Sequence, residues 1–227
     1  MRVLAIDTAL AACSAAVLDT AHGGIVASES LPMTRGHAEA LMPLLQRVMK
    51  SSGLAFADLD RVVVTTGPGS FTGLRVGIAA ARGLGLALKV PVVGVSTLSA
   101  YAAPHLAEND RIPVVAAIDA RHQHVYLQVF GPGGRIRAAP RLAGLKEAVQ
   151  AASGAPSCIV GSAAQAVADK LSKTAVLPTI VDSSTAPDIA WIARIGAVVP
   201  EATSPAKPQY LRAPDAQPQN AAQLPRR

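Results

Sequence analysis

Val3-Leu4-Ala5-Ile6-Asp7 and, a hundred residues on, Val115-Ala116-Ala117-Ile118-Asp119 are the two stretches that decide the fold. Each is an apolar run closed by an aspartate and reads as a buried strand. Each is followed by a second apolar strand, Ser14 to Leu18 in the first case and Val125 to Phe130 in the second. Each pair then reaches a glycine-rich turn, Gly23-Gly24 and Gly131 to Gly134. The simplest meaning of such an echo is an internal duplication that builds two lobes of related topology. The chain is therefore divided into a first lobe, 1–107, a second lobe, 108–212, and a Pro-rich tail, 213–227, expected to be disordered.

Outward from these motifs the elements alternate in the manner of an α/β protein. Ile25 to Leu31 reads as a third strand. Arg35 to Met49 reads as a helix, with Leu41, Leu44, Leu45 and Val48 at helical spacing. Val62 to Thr66 is a buried strand. A second helix runs from about Gly73 to Leu88, with Thr72 as its expected N-cap. Val90 to Val95 is a strand, and Ser96 caps a short helix ending near Ala103. The second half adds helices at Leu145 to Ala152, Ala163 to Leu171 and Ala190 to Val198, with a strand at Cys158 to Val160.

Composition agrees. Half of the 227 residues are hydrophobic and only 16% are charged, which calls for a packed core and excludes bulk disorder. Aromatics make up 3%, so Ala, Val, Leu and Ile build that core. Of the formal charge of +6, +3 falls between Thr203 and Arg227: Lys207, Arg212, Arg226 and Arg227 against Asp215. That balance permits nucleic-acid contact without requiring it. Cys13 and Cys158 form no CxxC, and a cytoplasmic home without a disulfide framework is expected. Arg75, Arg82 and Lys89 interrupt the longest apolar stretch, so no membrane span is expected.

The sharpest local feature is Gly67-Pro68-Gly69-Ser70-Phe71-Thr72-Gly73. A strand, a glycine loop and a helix N-terminus can hold an anion on backbone N–H groups; the same sequence can also be a tight structural loop. With Asp7 and Thr8 at the end of the first strand, Gly67, Gly69 and Ser70 form the candidate anion or nucleotide site. Asp7 and Asp119 stand where phosphoryl-transfer folds hold magnesium, although either can simply cap its loop, and Arg121 is near enough to pair with Asp119. In the following helix Gly73, Gly77, Ala81 and Gly85 recur every four residues. Each interior Gly costs about 1 kcal/mol relative to Ala, so the stripe implies close packing against something. That partner is either internal or another subunit. His122 and His124 would share one side of a strand, yet no ligand set accompanies them. No metal site, nucleophile–base pair or catalytic residue is expected.

Taken together, Leu4-Ala5-Ile6-Asp7-Thr8, Gly36-His37-Ala38-Glu39, Thr66 to Gly77 and Pro208-Gln209-Tyr210-Leu211-Arg212 resemble the TsaB/YeaZ family. The resemblance runs from Met1 to about Arg212 and is strongest in the first lobe. It implies a two-lobed actin/sugar-kinase-like fold with ribonuclease-H-like lobes. It implies a role in forming N6-threonylcarbamoyladenosine in tRNAs reading codons that start with A. The implied partners are a TsaD-type catalytic paralogue, a TsaE-type P-loop ATPase and a second copy of the chain when alone, with tRNA an indirect partner; direct contact with tRNA stays open, and Arg75, Arg82 and the basic tail are the candidates for it. ATP or ADP with magnesium at a subunit junction is the one cofactor the resemblance leaves open. The paralogue's metal-binding His-x-x-x-His is replaced by Thr97 and Tyr101 after Gly94-Val95-Ser96, which implies a non-catalytic subunit. The family's partner interface uses the two first-lobe helices, which here assigns His37, Leu41, Leu44, Leu45, Gly73, Leu74, Gly77, Ala81 and Gly85 to it. On that assignment Gly77→Leu should block association and leave the lobe folded. An ATP-dependent phosphotransferase built on Asp7 and the glycine loop is the alternative, and a peptidase the remote one.

Overall fold

Strand β1 (Arg2–Asp7) is buried along almost its whole length, as is β4 (Arg61–Gly67) beside it. Strands covered on both faces carry continuous apolar runs, which is why both were visible in the sequence. β2 (Ala12–Asp19) pairs antiparallel with β1, and β3 (Gly24–Pro32) pairs antiparallel with β2. β4 and β5 (Val92–Ser96) add parallel strands on the other side, giving the order β3-β2-β1-β4-β5. The second sheet repeats the scheme. β6 (Val114–Asp119) pairs antiparallel with β7 (His124–Phe130), which pairs antiparallel with β8 (Ile136–Gly144). β9 (Cys158–Val160) and β10 (Ile180–Asp182) follow in parallel, so the order β8-β7-β6-β9-β10 maps onto the first sheet strand for strand. These relationships come from a computed structural model that describes residues 1–171, 176–201 and 204–212. The expected tail, 213–227, lies outside the described residues.

The duplication extends to single atoms. Asp7 Oδ1 accepts from Ala9 N–H at 2.9 Å, and Asp119 Oδ1 accepts from Arg121 N–H at 2.9 Å. Gly67 ends β4 with φ +110°, and Gly161 follows β9 with φ +105°. A Cβ on Gly161 would overlap the carbonyl oxygen of Ala117, so only glycine fits there.

Helices α1 (His37–Ser52) and α2 (Phe71–Leu88) cover one face of the first sheet. Helix α6 (Ile189–Val198), although last in the chain, covers the other face, with Ile189, Ile192 and Ala193 packed on Val3, Ala5 and Val63. Helix α3 (Thr97–Glu108) joins the two lobes: Ala100 faces the first sheet and Leu98, Tyr101 and Ala102 the second. Helices α4 (Leu145–Ser153) and α5 (Ala164–Ala168) cover the far face of the second sheet.

Several elements differ from the sequence reading. β8 and β10 were not anticipated. β8 carries Pro140, no β-branched run and mostly half-buried positions without alternation, and β10 is three residues long. Helix α3 continues through Pro104 to Glu108 because burial between the two cores outweighs one missing N–H bond. Helix α5 is shorter than the predicted 163–171. The N-cap of α2 is Ser70, not Thr72: its Oγ accepts from Gly73 N–H at 3.3 Å, and Phe71 already opens the helix. Helix α2 is long and apolar enough by composition to cross a membrane, but one face lies on the sheet and the other carries Arg75 and Arg82.

Arg61 fixes α6 in place. Its Nη1 donates to the carbonyls of Gly196 and Val199, both at 2.8 Å, and so closes the C-terminus of the helix. Arg61→Ala leaves those acceptors unsatisfied and should destabilise the fold by about 1–3 kcal/mol. Arg141→Ala removes an exposed pair with Glu147 and should change stability by less than about 1 kcal/mol. Urea unfolding of the two variants checks the contrast.

Candidate functional site at the inter-lobe cleft

Asp7 is fully enclosed. Its Oδ1 accepts from Thr65 Oγ1 at 2.5 Å and from Ala9 N–H, while Oδ2 is buried without a hydrogen-bond partner. Burial pushes its carboxyl above the ordinary 3.8, and the bonds from Thr65 and Ala9 offset only part of that rise. Thr8 is equally enclosed and donates from Oγ1 to the carbonyl of Gly73 at 2.7 Å. The glycine loop lies directly over both residues. Ser70 N–H donates to Ala9 O at 2.8 Å, and a Cβ on Gly69 would overlap that same carbonyl. A Cβ on Gly73 would overlap the carbonyl of Thr8, and one on Gly77 its hydroxyl.

The candidate anion site is largely closed: Asp7 and Thr8 are sealed, and Gly67 is buried under the Gln209 carbonyl, which stands 3.0 Å from where its Cβ would be. Gly69 and Ser70 alone of that set line the cleft. The glycine stripe packs inside its own lobe. Gly73 and Gly77 rest on Thr8, Gly85 rests on Val92, and Ala81, Leu74, Leu41, Leu44 and Leu45 are core residues. None of these can present its side chain to a partner. Half-buried His37 is tied to the carbonyl of Leu10 at 3.1 Å. The periodicity marked a close approach correctly, but a repeat of small residues cannot say whether a helix or a strand end fills the space.

What the two helices do expose is their outer side. Met42 of α1 is 46% exposed; on α2 Leu86 is 83% exposed, and Ala79, Gly83 and Ala87 are exposed with it. A Cβ on Gly83 meets nothing within 4 Å.

The cleft between the lobes has a volume of ≈ 380 Å³. Ser70, Phe71 and Thr72 line it from the first lobe, and Asp119, Arg121 and Arg212 from beyond. Unlike Asp7, Asp119 is exposed, and it caps its turn through the Arg121 backbone rather than pairing with that guanidinium. Arg121, His122 and Gln123 are all left-handed, with φ of +63°, +52° and +60°. This turn takes His122 off the strand, so the expected one-sided pair with His124 does not form. Instead His124 Nδ1 lies 2.8 Å from the His122 carbonyl. Among the described residues no group of three His, Cys, Asp or Glu could hold a metal ion. Thr97 is fully buried, and the Tyr101 hydroxyl donates to Ser184 O at 2.9 Å. Cys13 and Cys158 are buried free thiols in separate sheets.

Sequence reasoning missed a cluster at the mouth of the cleft. The Tyr210 ring lies 4.8 Å from that of Phe71, and Arg75 Nε donates to the Tyr210 hydroxyl at 3.0 Å. The motif Pro208 to Arg212 was the available signal, but nothing in its spacing placed it beside Phe71.

Two ribonuclease-H-like sheets in tandem, with a cleft between them at the strand ends, define a two-lobed protein of the actin/sugar-kinase-like class. The model of the family "tRNA N6-adenosine threonylcarbamoyltransferase" matches residues 11–173. YeaZ from Pseudomonas aeruginosa superposes with a TM-score of 0.76 at 29% identity, covering 92% of this chain and 99% of that one. TsaB of Escherichia coli, a tRNA threonylcarbamoyladenosine biosynthesis protein, is 41% identical over 126 residues, 56% of this chain and 53% of that protein. An uncharacterised Mycobacterium tuberculosis protein is 36% identical over 222 residues, 95% of this chain and 94% of its own length. The chain belongs to the TsaB/YeaZ family. Its match spans about half the length of the relative named TsaB in Escherichia coli.

The packing separates two glycines on one helix. Gly77→Leu, expected from the sequence to leave the lobe folded, should instead destabilise it by several kcal/mol, because the side chain must displace Thr8. Gly83→Ala should stabilise the chain by about 1 kcal/mol through helix propensity. Thermal unfolding distinguishes them. Asp7 gives a pH signature. Its folded carboxyl binds a proton more tightly than the unfolded one, so stability should fall as pH rises through the window above 3.8 and level off beyond the folded value. Asp7→Asn should abolish that decline in urea midpoints taken between pH 4 and 8 (about two values per pH unit suffice).

Proposed function

We propose that this chain is a non-catalytic scaffold and activator in the formation of N6-threonylcarbamoyladenosine in tRNAs reading codons that start with A. In this reading it works in the cytoplasm with a TsaD-type transferase and a TsaE-type P-loop ATPase, and pairs with itself when alone. Family membership carries the proposal. Support also comes from the positions corresponding to the transferase's metal histidines, where Thr97 and Tyr101 are buried and offer no ligand pair. The sealed Asp7 speaks against the phosphotransferase alternative.

With the glycine stripe turned inward, the contact surface is reassigned to the outer side of α1 and α2, around Met42, Ala79, Gly83 and Leu86. Small residues there allow close helix approach, and two exposed apolar side chains supply area to bury. Gly83→Arg should abolish co-elution with the transferase and leave the melting temperature within a few degrees, about the shift a 1 kcal/mol change gives. Threonylcarbamoylation by the transferase and ATPase should stop when this chain is omitted. Modification at an unchanged rate without it would overturn the proposal.

A further inference from the structure

Residues 204–212 cross the cleft as a strap. Ala206 enters the first-lobe core, Gln209 N–H donates to Thr66 O at 2.7 Å, and Arg212 Nη1 donates to Ala120 O in the second lobe at 2.9 Å. Between these anchors Tyr210 is held outward, 42% exposed, against Phe71 and Arg75. The chain has seven aromatic residues, three Phe, three Tyr and one Trp, and two of them are spent on this surface pair. A packed core would ordinarily claim both rings.

The neighbouring charges are as unusual. Among the described residues Arg75 and Arg121 form no ion pair. Arg75 is oriented by a phenol rather than a carboxylate, and Arg121 projects from the left-handed turn that lines the cleft with Phe71 and Asp119. Fixed aromatic rings flanked by cations without carboxylate partners are the chemistry of single-stranded RNA recognition, in which a base stacks and a phosphate is drawn to guanidinium. An acidic peptide would use the cations but leave the rings idle.

We propose that Phe71, Tyr210 and Arg75, with Arg121 across the cleft, seat one unpaired nucleotide of an RNA. The RNA's identity rests on the proposed function: the anticodon loop of the tRNA being modified. This chain would then touch the substrate directly, through Arg75, which the sequence left open as a candidate.

Fluorescence anisotropy with a labelled anticodon stem-loop, read by the chain alone and by its complex with the transferase, tests the seat. Tyr210→Leu should weaken binding roughly tenfold, and Tyr210→Phe, which keeps the ring, should bind nearly as the parent does. Arg75→Gln and Arg121→Gln should each lower the slope of log affinity against log salt by roughly 0.7–1. Arg141→Gln, remote from the cleft, should change neither. Unchanged affinity for Tyr210→Leu in both settings, or equal competition by a poly-glutamate peptide, overturns the seat. Co-elution of each variant with the transferase is scored separately. A seat that fails while co-elution and modification persist leaves the scaffold reading standing, and loss of co-elution by the parent chain removes that reading instead.

Discussion

The close seat of α2 on the first strand end depends on Thr8. Its hydroxyl donates to Gly73 O, its carbonyl lies where a Cβ on Gly73 would be, and its Oγ1 lies where one on Gly77 would be. Helix α2 can come this close only because two of its turns carry no side chain on that face. The approach brings Ser70 N–H to Ala9 O and closes the loop over Asp7, leaving a buried carboxylate with one unpaired oxygen. Such a group is unfavourable unless the surrounding packing enforces it. The glycines of α2 are therefore the condition on which the first strand end is sealed.

The duplicated lobes make the consequence visible. Asp7 and Asp119 occupy equivalent strand ends and cap equivalent turns, each through the N–H two residues on. No long helix closes over the second, and Asp119 stays exposed at the cleft. Two equivalent turns thus sit in unlike surroundings. The first strand end is a structural joint, and the second, with its left-handed turn, still faces the open cleft. The strap from 204 to 212 ties the two lobes across that opening.

Strands with continuous apolar runs were legible in the sequence: β1, β4, β6 and β7 follow directly from burial on two faces. The two-lobe echo was legible because it rests on those same strands. β8 was not, because a half-buried edge strand with a proline has no such signature, and β10 is too short to carry a pattern. The stripe on α2 was seen, and its need for a close neighbour was read correctly. Its direction was not legible, since small residues at four-residue spacing report proximity and not identity. The Phe71–Tyr210–Arg75 cluster joins residues 135 apart in sequence in its Arg75–Tyr210 bond, and only the folded chain brings them together.

The inward-facing stripe is the claim on which the reassigned surface and the sealed Asp7 both depend. Native-state hydrogen exchange of α2 tests it most directly. The amides from Leu74 to Gly85 should exchange only through global unfolding, despite the helix's glycines, because leaving the sheet uncovers Thr8, Asp7 and the first core together. Exchange of these amides through a local opening several kcal/mol below the global value would show a helix only loosely docked on its own lobe, and would contradict the account.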